Sequence, residues 1–222
     1  MFADRHEAGR KLGEAVARLD LTDPLVLALP RGGVPVAHAV AQRLGAPLDI
    51  LVVRKLGAPG HRELALGAIV GGAAPQTVFN EDVMAMMRPS PQYLDTEIAG
   101  QRAELARRRR AYAGDRPEPD VSGRTVVLVD DGVATGASAR AALRGLRQAG
   151  VARLILAIPV GPPEVIAQLR EAADEVVCLL IPERFRAVGE WYVDFAQTED
   201  EEVVALLAQA RRPLPGGEAT SA

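Results

Sequence analysis

Two adjacent carboxylates, Asp130 and Asp131, follow four apolar residues and open onto small and hydroxyl residues in "VVLVDDGVATGAS", residues 126–138. A carboxylate is acceptor-only and repels phosphate, so this pair calls for hydroxyl groups on a ligand. The loop after it has the opposite preference. Gly132 and Gly136 allow a tight turn, the N–H groups opening the next helix attract an anion, and Thr135 and Ser138 add hydroxyl donors. A ligand carrying both phosphate and sugar hydroxyls satisfies both halves. A turn whose acids merely cap a helix would need one acid and no hydroxyls at these spacings. The Gly-Lys-Ser/Thr ending of a triphosphate loop and the spaced glycines of a dinucleotide fingerprint are both missing.

Three further groups could serve such a ligand. In "LPRGGVPVA", Arg31 precedes Gly32 and Gly33, which let backbone amides approach an anion, although an arginine before two glycines also makes a plain surface turn. "VVRKLGAPG" supplies Arg54 and Lys55 where an apolar run ends. Only two of the 26 basic residues are lysine, Lys11 and Lys55, and a compact ammonium suits a site that grips and releases phosphate. Finally, "IPERFRAVGEWYVDFAQTEDEEV" gathers Phe185, Trp191, Tyr192 and Phe195 in a chain that is only 4% aromatic. A planar base could stack there, and the same rings could equally close the sheet as packed core. His61 reads as a solvated loop histidine more than a general acid, and His38 and His6 have less claim.

The elements that must position these residues are legible in outline. "PLVLALPRGG", "PLDILVVRK", "RTVVLVDDG", "ARLILAIPVG" and "DEVVCLLIPE" read as strands buried on both faces, with Cys178 a buried thiol in the last. Helical patterns at 34–44, 137–149 and 163–172 alternate with them, which predicts a parallel sheet flanked by helices. Two insertions interrupt the alternation. Residues 57–80 are too rich in Gly and Pro for a helix and predict a lid loop with an antiparallel excursion. Residues 90–112 read as a charged helix, followed by a proline-rich linker.

Composition bounds the partners. The chain has 222 residues, a net charge of -3 and a pI near 5.7, which gives no bulk attraction to nucleic acid or to an anionic membrane. One cysteine rules out an internal disulfide framework and a multi-cysteine metal cluster. The opening residues form neither a secretory signal nor a membrane anchor, and no apolar stretch is of spanning length, so a soluble, cytoplasmic protein is expected.

The motif at 126–138 resembles the phosphoribosyl pyrophosphate (PRPP) motif of type I phosphoribosyltransferases, and the likeness extends from residue 26 to about 195. It implies an α/β fold with a central parallel sheet, a flexible lid loop and a small C-terminal hood. Residues 1–212 would form one domain, its core at about 25–195 and the inserted helix at about 90–112, with 213–222 a disordered tail. The implied activity is transfer of the phosphoribosyl group to a nitrogenous base with release of pyrophosphate, commonly in nucleotide salvage.

The implied roles follow residue by residue. Asp130 and Asp131 would bind the ribose hydroxyls, and Val133, Ala134, Thr135, Gly136, Ala137 and Ser138 the 5′-phosphate. Arg31, Gly32, Gly33, Arg54 and Lys55 would bind pyrophosphate, with Arg54, Lys55, Asp130 and Asp131 as the catalytic set. The tail resembles the hood of hypoxanthine-guanine enzymes, which implies base contacts at Phe185, Trp191 and Asp194. Ala134 stands where 6-oxopurine enzymes generally carry an aspartate, so the loop argues against such a base while the hood favours a purine. Magnesium is expected on the oxygens of PRPP and pyrophosphate, with no direct protein ligand. A homodimer is expected, with residues 107–110 either at its interface or on a solvated charged face. A non-catalytic PRPP-binding regulator and a phosphosugar hydrolase are the alternative functions.

Overall fold

The computed structural model describes residues 1–210, apart from the side chain of Arg62. The predicted tail at 213–222 lies outside the described residues, as does the end of the predicted domain. In chain order the elements are α1 (Arg5–Ala17), β1 (Leu25–Ala28), α2 (Gly33–Leu44), β2 (Leu48–Ile50), β3 (Val53–Ala58), β4 (His61–Val70), β5 (Gln76–Phe79), α3 (Glu81–Met87), α4 (Pro91–Ala113), β6 (Thr125–Val129), α5 (Ala137–Gln148), β7 (Arg153–Val160), α6 (Pro163–Arg170), β8 (Glu175–Leu180) and α7 (Asp200–Gln209). A 3-10 turn spans Val188–Trp191.

Five strands form the expected parallel sheet in the order β2-β1-β6-β7-β8. Their continuous apolar runs suit strands covered on both faces. One core layer joins Val26, Val127 and Ile155 to Leu12 of α1, Val40 of α2 and Leu207 of α7. The opposite layer joins Leu27, Leu128 and Leu156 to Leu143 of α5 and Ile166 of α6. The apolar positions Ala8, Leu12 and Val16 recur at helical spacing on α1 and are all fully buried, so α1 and α7 belong to the core that the sequence reading confined to about 25–195. β8 departs from the expectation of two-sided burial. It is an edge strand, every residue of which is half-buried, and Cys178 on it is half-buried too. Burial still pushes that thiol up to about 11.

The glycine-rich insertion forms a second sheet, the antiparallel meander β3-β4-β5. Leu56, Leu66 and Ile69 are fully buried within it, so apolar packing overrides the loop propensity of its glycines. The predicted 90–112 helix is α4, and it clamps the meander from outside. Tyr93 donates to the Gly57 carbonyl at 2.9 Å, and Glu97 accepts from the Gly57 amide at 3.2 Å. Among the described residues no helix is long and apolar enough to cross a membrane.

The arginine run on α4 divides by helix face. Arg107 and Arg108 pair with Glu104 on the surface. Arg109 is 5% exposed and bonds both oxygens of Asp49, itself 3% exposed at the edge strand β2. The solvated-face reading therefore fails at Arg109, whose direction on the helix turns it inward.

Candidate active site

The chain winds outward in both directions from the middle of the sheet. β1 leads through α2 to β2 on one side, and β6 leads through α5 to β7 on the other. Ligands in open α/β sheets bind beyond the carboxyl ends of strands where the winding reverses, here between β1 and β6. The two loops at that point are residues 29–33 and 130–136, the two phosphate-binding candidates of the sequence. They adjoin: the Leu29 amide donates to the carbonyl of Val129, the last residue of β6, at 2.9 Å, and a Cβ at Gly33 would stand 3.0 Å from Asp130 Cα.

Asp130 and Asp131 stand at the end of β6. The Asp131 amide donates to Asp130 Oδ1 at 2.9 Å, which fixes that carboxyl against its own backbone. Desolvation, then the charge of Asp131, push the Asp130 carboxyl well above the usual carboxylate range. Desolvation raises Asp131 as well, while the charge and hydrogen bond of Arg5 oppose the rise. This pair is suited to accept hydroxyl protons and poorly suited to solvent.

The loop after the acids enters α5 through Gly136, at φ 68°, the left-handed region that favours glycine. A Cβ there would also stand 2.7 Å from Val165 Cγ1 of α6. Val133 is buried and donates its amide to the Val160 carbonyl at 2.9 Å, while Ala134, Thr135, Ala137 and Ser138 are exposed. The first N–H groups of a helix have no intrahelical acceptor, so this exposed loop retains donors for an anion. Thr135 Oγ1 accepts from the Ala137 amide at 3.4 Å.

Gly32 and Gly33 lie against the acids. Gly32 has φ -57°, which any residue adopts, so space alone demands glycine: an added Cβ would overlap Asp131 Oδ2 and stand 3.3 Å from Arg5 Nε. At Gly33 it would meet the Val129 carbonyl oxygen at 2.8 Å. Gly32→Ala is therefore expected to destabilise the protein by about 1–3 kcal/mol through overpacking. Urea denaturation measures this as a lower midpoint, and an unchanged midpoint would mean the loop yields freely.

The cations are spread over different walls. Arg31 faces the acidic start of α7, with Nη1 at 3.4 Å from Asp200 Oδ1 and 3.8 Å from Glu199 Oε2. Arg54 and Lys55, adjacent on β3, point to opposite faces of the meander. Arg54 Nε donates to Gln101 of α4 at 3.1 Å. Lys55 faces a cavity of about 630 Å³ between the meander and α5, which it shares with Ser138, Arg140 and Arg144. Its contact to Glu63 Oε2 is long, at 3.5 Å. The structure thus brings Gly32, Gly33, Asp130 and Asp131 together and sets Lys55 beside the start of α5, while Arg54, which also lines that cavity, commits its Nε to Gln101 of α4.

The aromatic segment packs beside the acids. Tyr192 donates its hydroxyl to the Asp131 carbonyl at 2.6 Å, and its ring lies 5.0 Å from Phe195 and 5.4 Å from Phe2. Phe185 and Trp191 are half-buried in the same cluster, and Trp191 Nε1 is buried without a hydrogen-bond partner. Asp194 is exposed and accepts from the Ala196 amide at 3.0 Å. Among the described residues no three His, Cys, Asp or Glu side chains converge as a metal cage.

One site residue escaped the sequence reading. Arg5, at the start of α1, donates from Nε to Asp131 Oδ2 at 2.8 Å and from Nη1 to the Ala196 carbonyl at 2.7 Å. The only sequence signal was Asp4 as a helix cap, which marks the helix and says nothing of a partner 126 positions away.

Known proteins bear on this geometry in three ways. A family model described as "Phosphoribosyl transferase domain" matches residues 2–196. The Mycobacterium tuberculosis (strain H37Rv) protein named "Putative phosphoribosyl transferase Rv0571c" is 47% identical over 212 residues, 96% of this chain and 47% of that protein. The chain thus spans about half the length of this relative. The crystal structure of TT1426 from Thermus thermophilus is 48% identical, with a TM-score of 0.82 over 94% of this chain and 98% of that one. With the paired acids at the winding reversal and the family match over nearly its whole length, this chain belongs to the phosphoribosyl transferase domain family.

Proposed function

We propose that the protein transfers the 5-phosphoribosyl group of PRPP to a nitrogenous base and releases pyrophosphate. One observation carries this: the desolvated pair Asp130 and Asp131 sits at the winding reversal, packed against Gly32 and Gly33 and followed by the exposed loop at 134–138. A phosphate-only site would have no use for two carboxylates there.

The ribose hydroxyls donate to Asp130 and Asp131, and the start of α5 receives the 5′-phosphate. A base nitrogen attacks the anomeric carbon, the bond from that carbon to pyrophosphate breaks, and the electron pair leaves with pyrophosphate. The base gives up its proton to solvent. The backbone amide of Gly32, Arg31 and Lys55 offset charge on the leaving group, the Gly33 amide being engaged by the Leu29 carbonyl at 3.1 Å. Magnesium bound together with PRPP would supply further charge neutralisation there. Arg31 must first leave Asp200 and Glu199, and exposed pairs of that length hold weakly. Phe185 and Trp191, with the unpartnered Nε1 donor, support a base at the hood.

Calorimetric titration of PRPP with and without magnesium, followed by pyrophosphate release across a panel of bases, tests the reading. Tight binding with base-dependent release supports it. Binding without release points to a regulator, release without any base to a hydrolase, and no binding overturns it. Lys55→Ala is expected to lower turnover about 10–100-fold by removing one electrostatic stabiliser, with stability almost unchanged because the side chain is half-exposed. Full pyrophosphate release by that variant would remove Lys55 from the mechanism.

A further inference from the structure

Arg5 occupies the first position of α1, where the helix dipole favours acids over cations. The helix gains nothing from this charge, and the reason for it lies outside the helix. The guanidinium makes three contacts at once: Asp131 Oδ2 at 2.8 Å, the Ala196 carbonyl at 2.7 Å, and the Phe195 ring face, 3.9 Å from its centroid. Its side chain is 11% exposed, and that of Asp131 15%.

The chain before Arg5 is tied to the same hood. Phe2 donates its amide to the Trp191 carbonyl, and Val193 and Asp194 donate theirs to the carbonyls of Phe2 and Ala3, each at 2.8 Å. Asp4 then caps α1 by accepting from the Glu7 amide at 2.7 Å. Arg5 is consequently delivered from a pinned backbone, so little side-chain entropy opposes its bonds. Its stack also covers the Phe195 face that an acceptor base could otherwise use.

We propose that Arg5 is a positioning residue of the ribose site, fixing the Asp131 carboxylate toward the sugar hydroxyls and making α1 part of the active site. This rests on the PRPP reading above. The charged and titratable groups facing Asp131 are Asp130 from its own loop, Arg5 from α1 and Tyr192 from the hood. Arg5 is the cation among them, so its loss leaves the acids facing only each other's charge.

The test compares wild type, Arg5→Gln and Arg5→Lys. Carboxyl carbon NMR on the ligand-free proteins follows the acids, and calorimetry follows PRPP affinity from pH 6.5 to 9. In Arg5→Gln the Asp131 midpoint should rise by about one unit and PRPP affinity at pH 7 should fall on the order of tenfold. The deficit should shrink as pH rises and the acids ionise, and Arg5→Lys should recover part of it. A folded Arg5→Gln with wild-type titration and affinity, or with an equal loss at every pH, overturns the proposal. Should wild type bind no PRPP, the transferase reading falls by itself, and the carboxyl titration alone supports or overturns the Arg5 pairing.

Discussion

Asp130→Asn is expected to make the protein more stable while weakening its hold on PRPP. The Asp130 carboxyl is raised well above its ordinary range, first by desolvation and then by the charge of Asp131. A group with a raised folded-state pKa contributes stability that is fully present at acid pH and lost as pH rises through the folded value. As pH rises wild type therefore loses stability through this desolvated carboxyl, and the isosteric amide does not. Its oxygen can still accept from the Asp131 amide, now bonded at 2.9 Å. A higher melting temperature than wild type is expected at pH 8, the gain shrinking as pH falls and wild-type Asp130 takes up its proton.

Binding should move the other way. A hydrogen bond to a charged acceptor contributes about 1.5–3 kcal/mol, so Asp130→Asn should weaken PRPP binding roughly ten- to a hundredfold. Adding Asp131→Asn should bring the loss to the order of 10²–10⁴-fold, at the further cost of leaving Arg5 unpaired. Thermal melts across pH and PRPP calorimetry read both quantities. Wild-type affinity in a folded Asp130→Asn would end the ribose assignment, and a lower melting temperature at pH 8 would contradict the desolvated carboxylate. A site that lowers stability for its ligand's sake is what a functional acid pair predicts.

The parts of this site that were legible in the sequence share one property: their partners are close in the chain. Asp130, Gly136 and Ser138 belong to one strand-loop-helix unit, so their spacing alone reports the cradle. The five parallel strands were visible for the same reason, as apolar runs between turn residues. Arg5 depends on a contact across 126 positions, and no local pattern encodes it. Arg54 and Lys55 read as one cationic pair only if adjacency in sequence means adjacency in space. On a strand, successive side chains point to opposite faces, and once 53–58 is a strand the pair must divide. The meander was obscured by Gly57, Gly60, Gly67, Gly71 and Gly72, whose propensities argue for loop. At Gly67 the sheet itself requires glycine, since a Cβ would stand 3.0 Å from Phe79 Cα on the neighbouring strand.

Asp49→Ala should cost far more stability than any change to the arginines on the surface of α4. Asp49 Oδ1 accepts from Arg109 and from the Ile50 amide, the latter at 2.7 Å, and Oδ2 accepts from Arg109 at 3.0 Å and pairs with Arg116. Removing the carboxylate leaves the Arg109 guanidinium buried with no counter-charge, and its Nε already lacks a partner. Breaking one side of a buried pair costs about 3–5 kcal/mol, read as a lower urea midpoint. Arg116, more exposed, can swing to water. Arg107→Ala should change stability little, because Arg107 is largely exposed and its half-buried partner Glu104 keeps a second pairing to Arg108. The consequence extends beyond β2, since α4 also carries Tyr93, Glu97 and Gln101 onto β3. Loosening α4 should speed amide exchange in the meander while sparing PRPP affinity in the folded fraction, because Asp130 and Asp131 hang from β6. Replacing the pair together, Asp49→Leu with Arg109→Met, should recover most of the loss by substituting apolar packing for ionic pairing. If Asp49→Ala alone costs less than about 1 kcal/mol, water reaches Arg109, and α4 is held by its apolar contacts with the meander instead.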